Sequence, residues 1–169
     1  MKASKVILGV DPGFGRMGWG IIKQENNGTW KALGWDCVNT ASTLSLSDRL
    51  LVLRDELKAV IKKYKPTSAA VEKLFFFNNV KTAIDVGQAR GVILLTLIDA
   101  GLPLMEFTPL QVKQAMTGYG KAEKNQMQKM VAMILGLKGK IKSDDAADAL
   151  AIALCAGQSQ KWNSFCGKK

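Results

Sequence analysis

The stretch Val6-Ile7-Leu8-Gly9-Val10-Asp11-Pro12-Gly13 is an apolar run that ends in a carboxylate and then a turn signal. Residues 5–11 therefore read as a buried strand closed by Asp-Pro-Gly. A charge at the end of such a strand is costly unless a cation compensates it. Three more carboxylates stand in comparable places. Glu72 ends the short run Ala69-Ala70-Val71. Asp145 and Asp148 lie one turn apart at the front of the helical pattern Asp-Asp-Ala-Ala-Asp-Ala-Leu-Ala-Ile-Ala-Leu, residues 144–154. Converging carboxylates point to hard divalent metals, which prefer oxygen ligands.

Working outward from the first strand, Met17 to Lys23 reads as a second strand. Thr29 to Thr40, after the Asn26-Asn27-Gly28 turn, reads as a third, which makes the opening a β-meander. Leu46, Leu50, Leu53, Leu57, Val60, Ile61 and Tyr64 recur at helical spacing, with Ser47 as N-cap and Pro66 as the stop. Ser68 to Lys73 is a fourth strand, Asn79 to Ala100 a long helix closed by Gly101, and Leu104 to Thr108 a fifth strand. Helices around 109–117, 122–135 and 144–156 follow. Strands joined by short turns pair antiparallel, and strands separated by helices run parallel through right-handed crossovers. The expected fold is α/β: a mixed five-stranded sheet flanked by helices on both faces. Residues 1–157 form one domain in this reading, and 158–169 a basic, loose tail.

The 169 residues suffice for a single core without staples. Lysine and arginine outnumber the acids by 24 to 14, a net charge of +10 that favours an anionic partner, with nucleic acid foremost. A merely solubilising surface charge is the alternative. The chain has no histidine, which removes imidazole general bases, triads and histidine zinc sites together. Its three cysteines, Cys37, Cys155 and Cys166, form no C-x-x-C pair, so reduced thiols and a cytoplasmic setting are expected. No signal-peptide layout or membrane-length apolar run is present, and no membrane association is expected.

Asp145 and Asp148, three residues apart, project from one helical face. Acids at a helix start often only cap it, and Ser143 or Asp144 can serve in that role. That explanation suits Asp144 but not Asp148, which lies deeper in the alanine-leucine run. Asp11 has an Asx-turn before Pro12-Gly13 as its structural alternative. Two strand-end carboxylates and a helical aspartate pair can build a site for two Mg²⁺ ions about 4 Å apart, with Mn²⁺ as the natural substitute. Such a site cleaves phosphodiesters without any histidine or nucleophilic side chain.

The segments Ile7-Leu8-Gly9-Val10-Asp11-Pro12-Gly13, Val71-Glu72-Lys73-Leu74-Phe75, Gly87-Gln88-Ala89-Arg90-Gly91 and Asp145-Ala146-Ala147-Asp148-Ala149-Leu150-Ala151 resemble those of the RuvC family of bacterial Holliday junction resolvases. The resemblance is collinear from about residue 6 to residue 157. It implies an RNase H-like fold and a homodimer that binds four-way junction DNA. Each protomer would nick one of two symmetry-related strands, leaving 5′-phosphate and 3′-hydroxyl ends. Asp11, Glu72, Asp145 and Asp148 would be the catalytic, metal-binding acids. Lys113 and Lys124 would contact DNA near the scissile phosphate, and Phe75 would stack on bases at the junction centre. A branch-migration helicase complex is a further partner that the resemblance suggests. Two departures from the family pattern stand out: Lys73 in place of a glutamine, and the triple aromatic Phe75-Phe76-Phe77.

Lys121, in the Gly-rich segment after Gly118-Tyr119-Gly120, and Arg90 are further DNA-binding candidates, against the plainer reading of solvated faces. Apolar residues continuing a strand usually mean core, which is the alternative for the three phenylalanines. Gly87 and Gly91 lie on one helical face and admit close approach of either a second protomer or the sheet. Three other functions compete. One is an RNase H-like nuclease acting on RNA–DNA hybrids or structured RNA, and another is a non-catalytic junction binder with structural acids. The last is an actin-like ATPase, for which the chain is too short to form two domains.

Overall fold

The computed structural model describes residues 5–73, 80–118, 120, 123–139 and 141–159. Within them, strands β1 (Val6–Asp11), β2 (Arg16–Gln24) and β3 (Trp30–Asn39) form the meander. Helix α1 (Leu46–Tyr64), strand β4 (Ser68–Glu72), helix α2 (Val80–Asp99) and strand β5 (Leu104–Phe107) follow. Helices α3 (Pro109–Thr117), α4 (Lys124–Ile134) and α5 (Asp144–Gln158) complete the order. One sheet results, in the order β3-β2-β1-β4-β5. The β1–β2 and β2–β3 pairs are antiparallel, and β1–β4 and β4–β5 are parallel. The expected mixed sheet with helices on both faces is what the chain forms.

Alternation along β1 divides the core in two. Leu8 and Val10 face α1 and α2, packing with Leu53, Leu57, Ile93 and Leu97. Ile7 faces the other way, toward Val112, Val131, Leu150 and Leu154 of α3–α5. Helix α1 is capped by Ser45 rather than the expected Ser47. Its Oγ accepts the Asp48 N–H at 3.1 Å, so Ser47 already lies inside the helix. Ser47 follows Leu46, the first member of the apolar period, and only the earlier serine leaves the first turn room to close.

Gly9, Gly18 and Gly20 form a floor without side chains on the α5 face of β1 and β2. Register pairs Gly9 with Gly20 and Gly18 with Asp11. A Cβ on Gly9 would overlap the Ala149 carbonyl oxygen, and one on Gly18 would overlap the Asp145 carbonyl. A Cβ on Gly20 would stand 2.7 Å from Leu150 Cδ2. Helix α5, buried from Ala149 to Ala156, therefore rests backbone to backbone on the sheet.

Because backbone cannot yield as a side chain does, Gly9→Ala is expected to destabilise the protein by about 1–3 kcal/mol. Urea unfolding followed by tryptophan fluorescence measures this. An unchanged midpoint would mean that α5 can step back from the sheet freely.

Candidate active site

Parallel pairing sets the first two acids side by side. The β1–β4 register reaches Val10↔Val71, so Asp11 and Glu72 follow as the next residues on adjacent strands. Alternation points both toward α5, as it does Ile7 and Ala70. The glycine floor brings the other pair. Asp145 sits over Gly18, the β2 partner of Asp11, and Asp148 follows one turn along α5. Four carboxylates thus meet at the carboxyl end of the central strands, where open α/β sheets bind ligands.

The turn after Asp11 is braced from behind. Thr40 Oγ1 donates to the Phe14 carbonyl at 2.8 Å, and Thr40 N donates to Gly15 O at 3.0 Å. Arg49 Nε donates to Thr40 Oγ1 at 2.9 Å while its guanidinium lies 3.7 Å over the Phe14 ring. Asp11 consequently leaves β1 from a fixed backbone.

Gathering the acids has an electrostatic cost. Burial, then the neighbouring charges of Glu72, Asp148 and Asp145, push Asp11 up to about 8. Burial and Asp148 push Glu72 up to about 7, against the pull of Lys113. Asp148 is raised by burial, with Lys124 opposing. Burial works against the charge of Lys124, but Asp148, Asp144 and Asp145 raise it on balance.

Protein cations and donors supply part of the compensation. Arg16 Nη2 lies 2.9 Å from Asp145 Oδ2, and the Cys37 thiol donates to the same oxygen at 3.6 Å. Lys124 Nζ lies 3.3 Å from Asp144 Oδ2 and 3.8 Å from Asp148 Oδ2. Among the described residues, no three acidic or cysteine side chains gather closely enough to hold an ion as they stand. Asp145 is engaged by Arg16 and Asp148 by Lys124. What suits a divalent cation is the donor set itself: hard oxygens, mutually repelling, with Asp11 pushed up to about 8 by burial and by its acidic neighbours.

Lys113 acts on Glu72 and Lys124 touches Asp148, so the structure brings both lysines to the acids. It does not bring Arg90 there. Arg90 pairs with Glu106, which alternation places with Leu104 on the opposite, α1–α2 face. Phe75 and Lys121 lie outside the described residues, as does the tail from residue 160 onward. The sequence reading overlooked Arg16, Cys37 and the glycine floor. Gly18-Trp19-Gly20, two glycines on one face of a strand, was the signal available for the last of these.

A mixed sheet in this order, with acids at the ends of its central strands and on a helix laid across them, defines the RNase H-like class. The family model for crossover junction endodeoxyribonuclease RuvC matches residues 7–156. A curated relative of that name from Roseiflexus sp. (strain RS-1) is 51% identical over 155 residues, 92% of this chain and 91% of the relative. A solved structure of Thermus thermophilus RuvC superposes with a TM-score of 0.83 at 34% identity, covering 96% of each chain. Another, of T. thermophilus RuvC in complex with Holliday junction substrate, gives 0.82 at 31% identity, again covering 96% of each chain. The chain belongs to the RuvC family of crossover junction endodeoxyribonucleases, which are hydrolytic nucleases.

The raised acids have a consequence for stability. Asp11 and Glu72 keep protons in the folded state that the unfolded chain has released above about pH 4. Folding stability is therefore full below that pH and falls as pH rises through 7 to 8. Melting temperatures of EDTA-treated protein are expected to decline from about pH 5 to about pH 9, and Asp11→Asn to flatten most of the decline. A melting temperature that rises across this window would contradict the placement of these acids.

Proposed function

We propose that this chain resolves four-way DNA junctions by paired, symmetric nicks, through hydrolysis that depends on divalent metal and leaves 5′-phosphate and 3′-hydroxyl ends. The observation that carries the reading is the convergence of Asp11, Glu72, Asp145 and Asp148 at one sheet edge. The relative solved with a Holliday junction substrate supports the choice of substrate.

The four acids are the residues that would hold Mg²⁺, or Mn²⁺ in its place. Held there, such ions would supply activation of a water and stabilisation of the leaving oxygen in an in-line displacement. The protein's own part is positional. The glycine floor holds Asp145 and Asp148 against Asp11, and the brace on Phe14 and Gly15 holds Asp11 itself. Lys113 and Lys124 flank the acids and would hold the phosphates on either side of the cleaved bond. The net charge of +10 draws the DNA toward them.

The chain acts as a homodimer in this reading, with α2 at the interface. Ala89, Ile93 and Leu97 turn the inner face of α2 to the core. The outer face carries Ile84, Leu95 and Ile98, exposed by 65, 59 and 58%, which is unusual for side chains this large and apolar. Among the described residues nothing lies within 4 Å of a Cβ built on Gly87 or Gly91, so these glycines do not serve contact with the sheet. A symmetric pair of such seams matches the paired strands of a junction. Among the described residues no helix is long and apolar enough to cross a membrane. The described cysteines, Cys37 and Cys155, are free thiols, in keeping with a cytoplasmic setting.

Cleavage of a mobile four-way junction, with Mg²⁺ and with EDTA, alongside linear duplex and RNA–DNA hybrid, tests this function. Paired nicks on the junction alone, lost with EDTA, are expected, and Asp11→Asn should bind the junction without cutting it. Hybrid cleavage, or binding without nicks under any condition, would overturn the reading. For the assembly, Leu95→Glu is expected to shift sedimentation from dimer to monomer and to separate the two nicks in time. An unchanged dimer would remove α2 from the interface.

A further inference from the structure

Asp144 is the acid at the start of α5 that the site described above leaves unused. Capping is not its role, because Ser143 holds that position and its Oγ accepts the Ala146 N–H at 3.3 Å. The Asp144 carboxylate reaches across to α4 instead. Its Oδ1 accepts from Gln128 Nε2 at 2.6 Å, and its Oδ2 lies 3.3 Å from Lys124 Nζ. Gln128 is only 6% exposed, on a helix whose Met127 and Val131 are buried in the core, so its amide is a fixed point. A continuous chain results, from Gln128 to Asp144 to Lys124 to Asp148.

We propose that Asp144, fixed by Gln128, is a positioning residue that holds Lys124 beside Asp148, where the phosphate to be cleaved must lie. The inference rests on the junction-nuclease function above and adds to it how that lysine is kept in place. Lys124 opens α4, at the helix end where the dipole disfavours a cation, and its four-carbon stem is flexible. Left alone, its ammonium would turn to water. Asp148 is a poor anchor, because a divalent cation claiming its carboxylate would repel the ammonium from it. Asp144 stands outside the four acids, so a cation held by them need not claim its carboxylate. The two adjacent aspartates thus divide their work, about 100° apart around the helix: Asp145 turns to Arg16, and Asp144 to Lys124.

An exposed ion pair of this kind raises the occupancy of the held geometry by about two- to fivefold. General electrostatics predicts the opposite sign, because removing a negative charge beside anionic DNA should tighten binding and speed cleavage. The test is single-turnover cleavage and junction binding for the wild type, Asp144→Asn, Lys124→Met, their double variant, and Gln128→Leu. Asp144→Asn is expected to slow cleavage about two- to fivefold, with junction affinity unchanged or tighter. It should cause no further loss on top of Lys124→Met. Gln128→Leu, which keeps every charge, should slow cleavage in the same sense. Unchanged or faster cleavage by Asp144→Asn, or an equal loss with and without Lys124, would overturn the proposal. A wild type that cuts no junction would refute the nuclease reading and take this inference with it.

Discussion

The contact on which the rest of this molecule depends is the seating of helix α5 on three glycines of β1 and β2. At Gly9 and Gly18 the contact cannot be absorbed by a rotamer change, because the nearest atoms that meet are backbone. Leu150, Ile152 and Leu154 are fully buried and anchor the helix, each contributing about 1.5–3 kcal/mol by leaving water. The same helix carries Asp145 and Asp148. Hydrophobic burial therefore offsets the cost of bringing two carboxylates to the ends of two buried strands, and Arg16 and Cys37 of the sheet add contacts to Asp145. Stability and geometry share one element.

Around that element the charges are sorted. Acids gather at the strand ends and on the first turns of α5, while the surrounding lysines and arginines leave the chain with a net charge of +10. The sorting is incomplete by design of the fold. Arg16 and Lys124 reach into the acid cluster and neutralise part of it, while Asp11 stands half-buried among like charges, with no ion pair to a cation among the described residues. The deficit sits on a residue held between the brace on the following turn and its pairing with Gly18 on β2.

Much of this was legible from residues alone, and the parts that were not have a common cause. The strand of residues 5–11 announced itself by an apolar run and a turn signal, and its terminal acid was visible for the same reason: charge is out of place there. Period and punctuation likewise located every helix among the described residues to within a few positions. Ser45 and Ser47 could not be separated as caps, because cap choice depends on backbone angles that either serine could adopt. Arg16, Cys37 and Gln128 were missed because each acts across the fold, on an acid distant in sequence; Cys37 and Asp145, for instance, lie 108 residues apart. Asp144 was read as a cap because its neighbour in sequence was known and its neighbour in space was not. Arg90 shows the converse: it stands in a motif as a bare cation, and its ion pair with Glu106 is visible only in the fold.

The order of the elements carries one more consequence. The first strand supplies Asp11, yet the helix that completes its surroundings is made only after the five strands and four other helices of the described residues. During synthesis, a chain emerging residue by residue holds half of its carboxylate cluster until nearly 150 residues have left the ribosome. Contacts this distant in sequence also form late in folding. A chain that stops short of α5 therefore lacks half of the cluster and the helix that seats it.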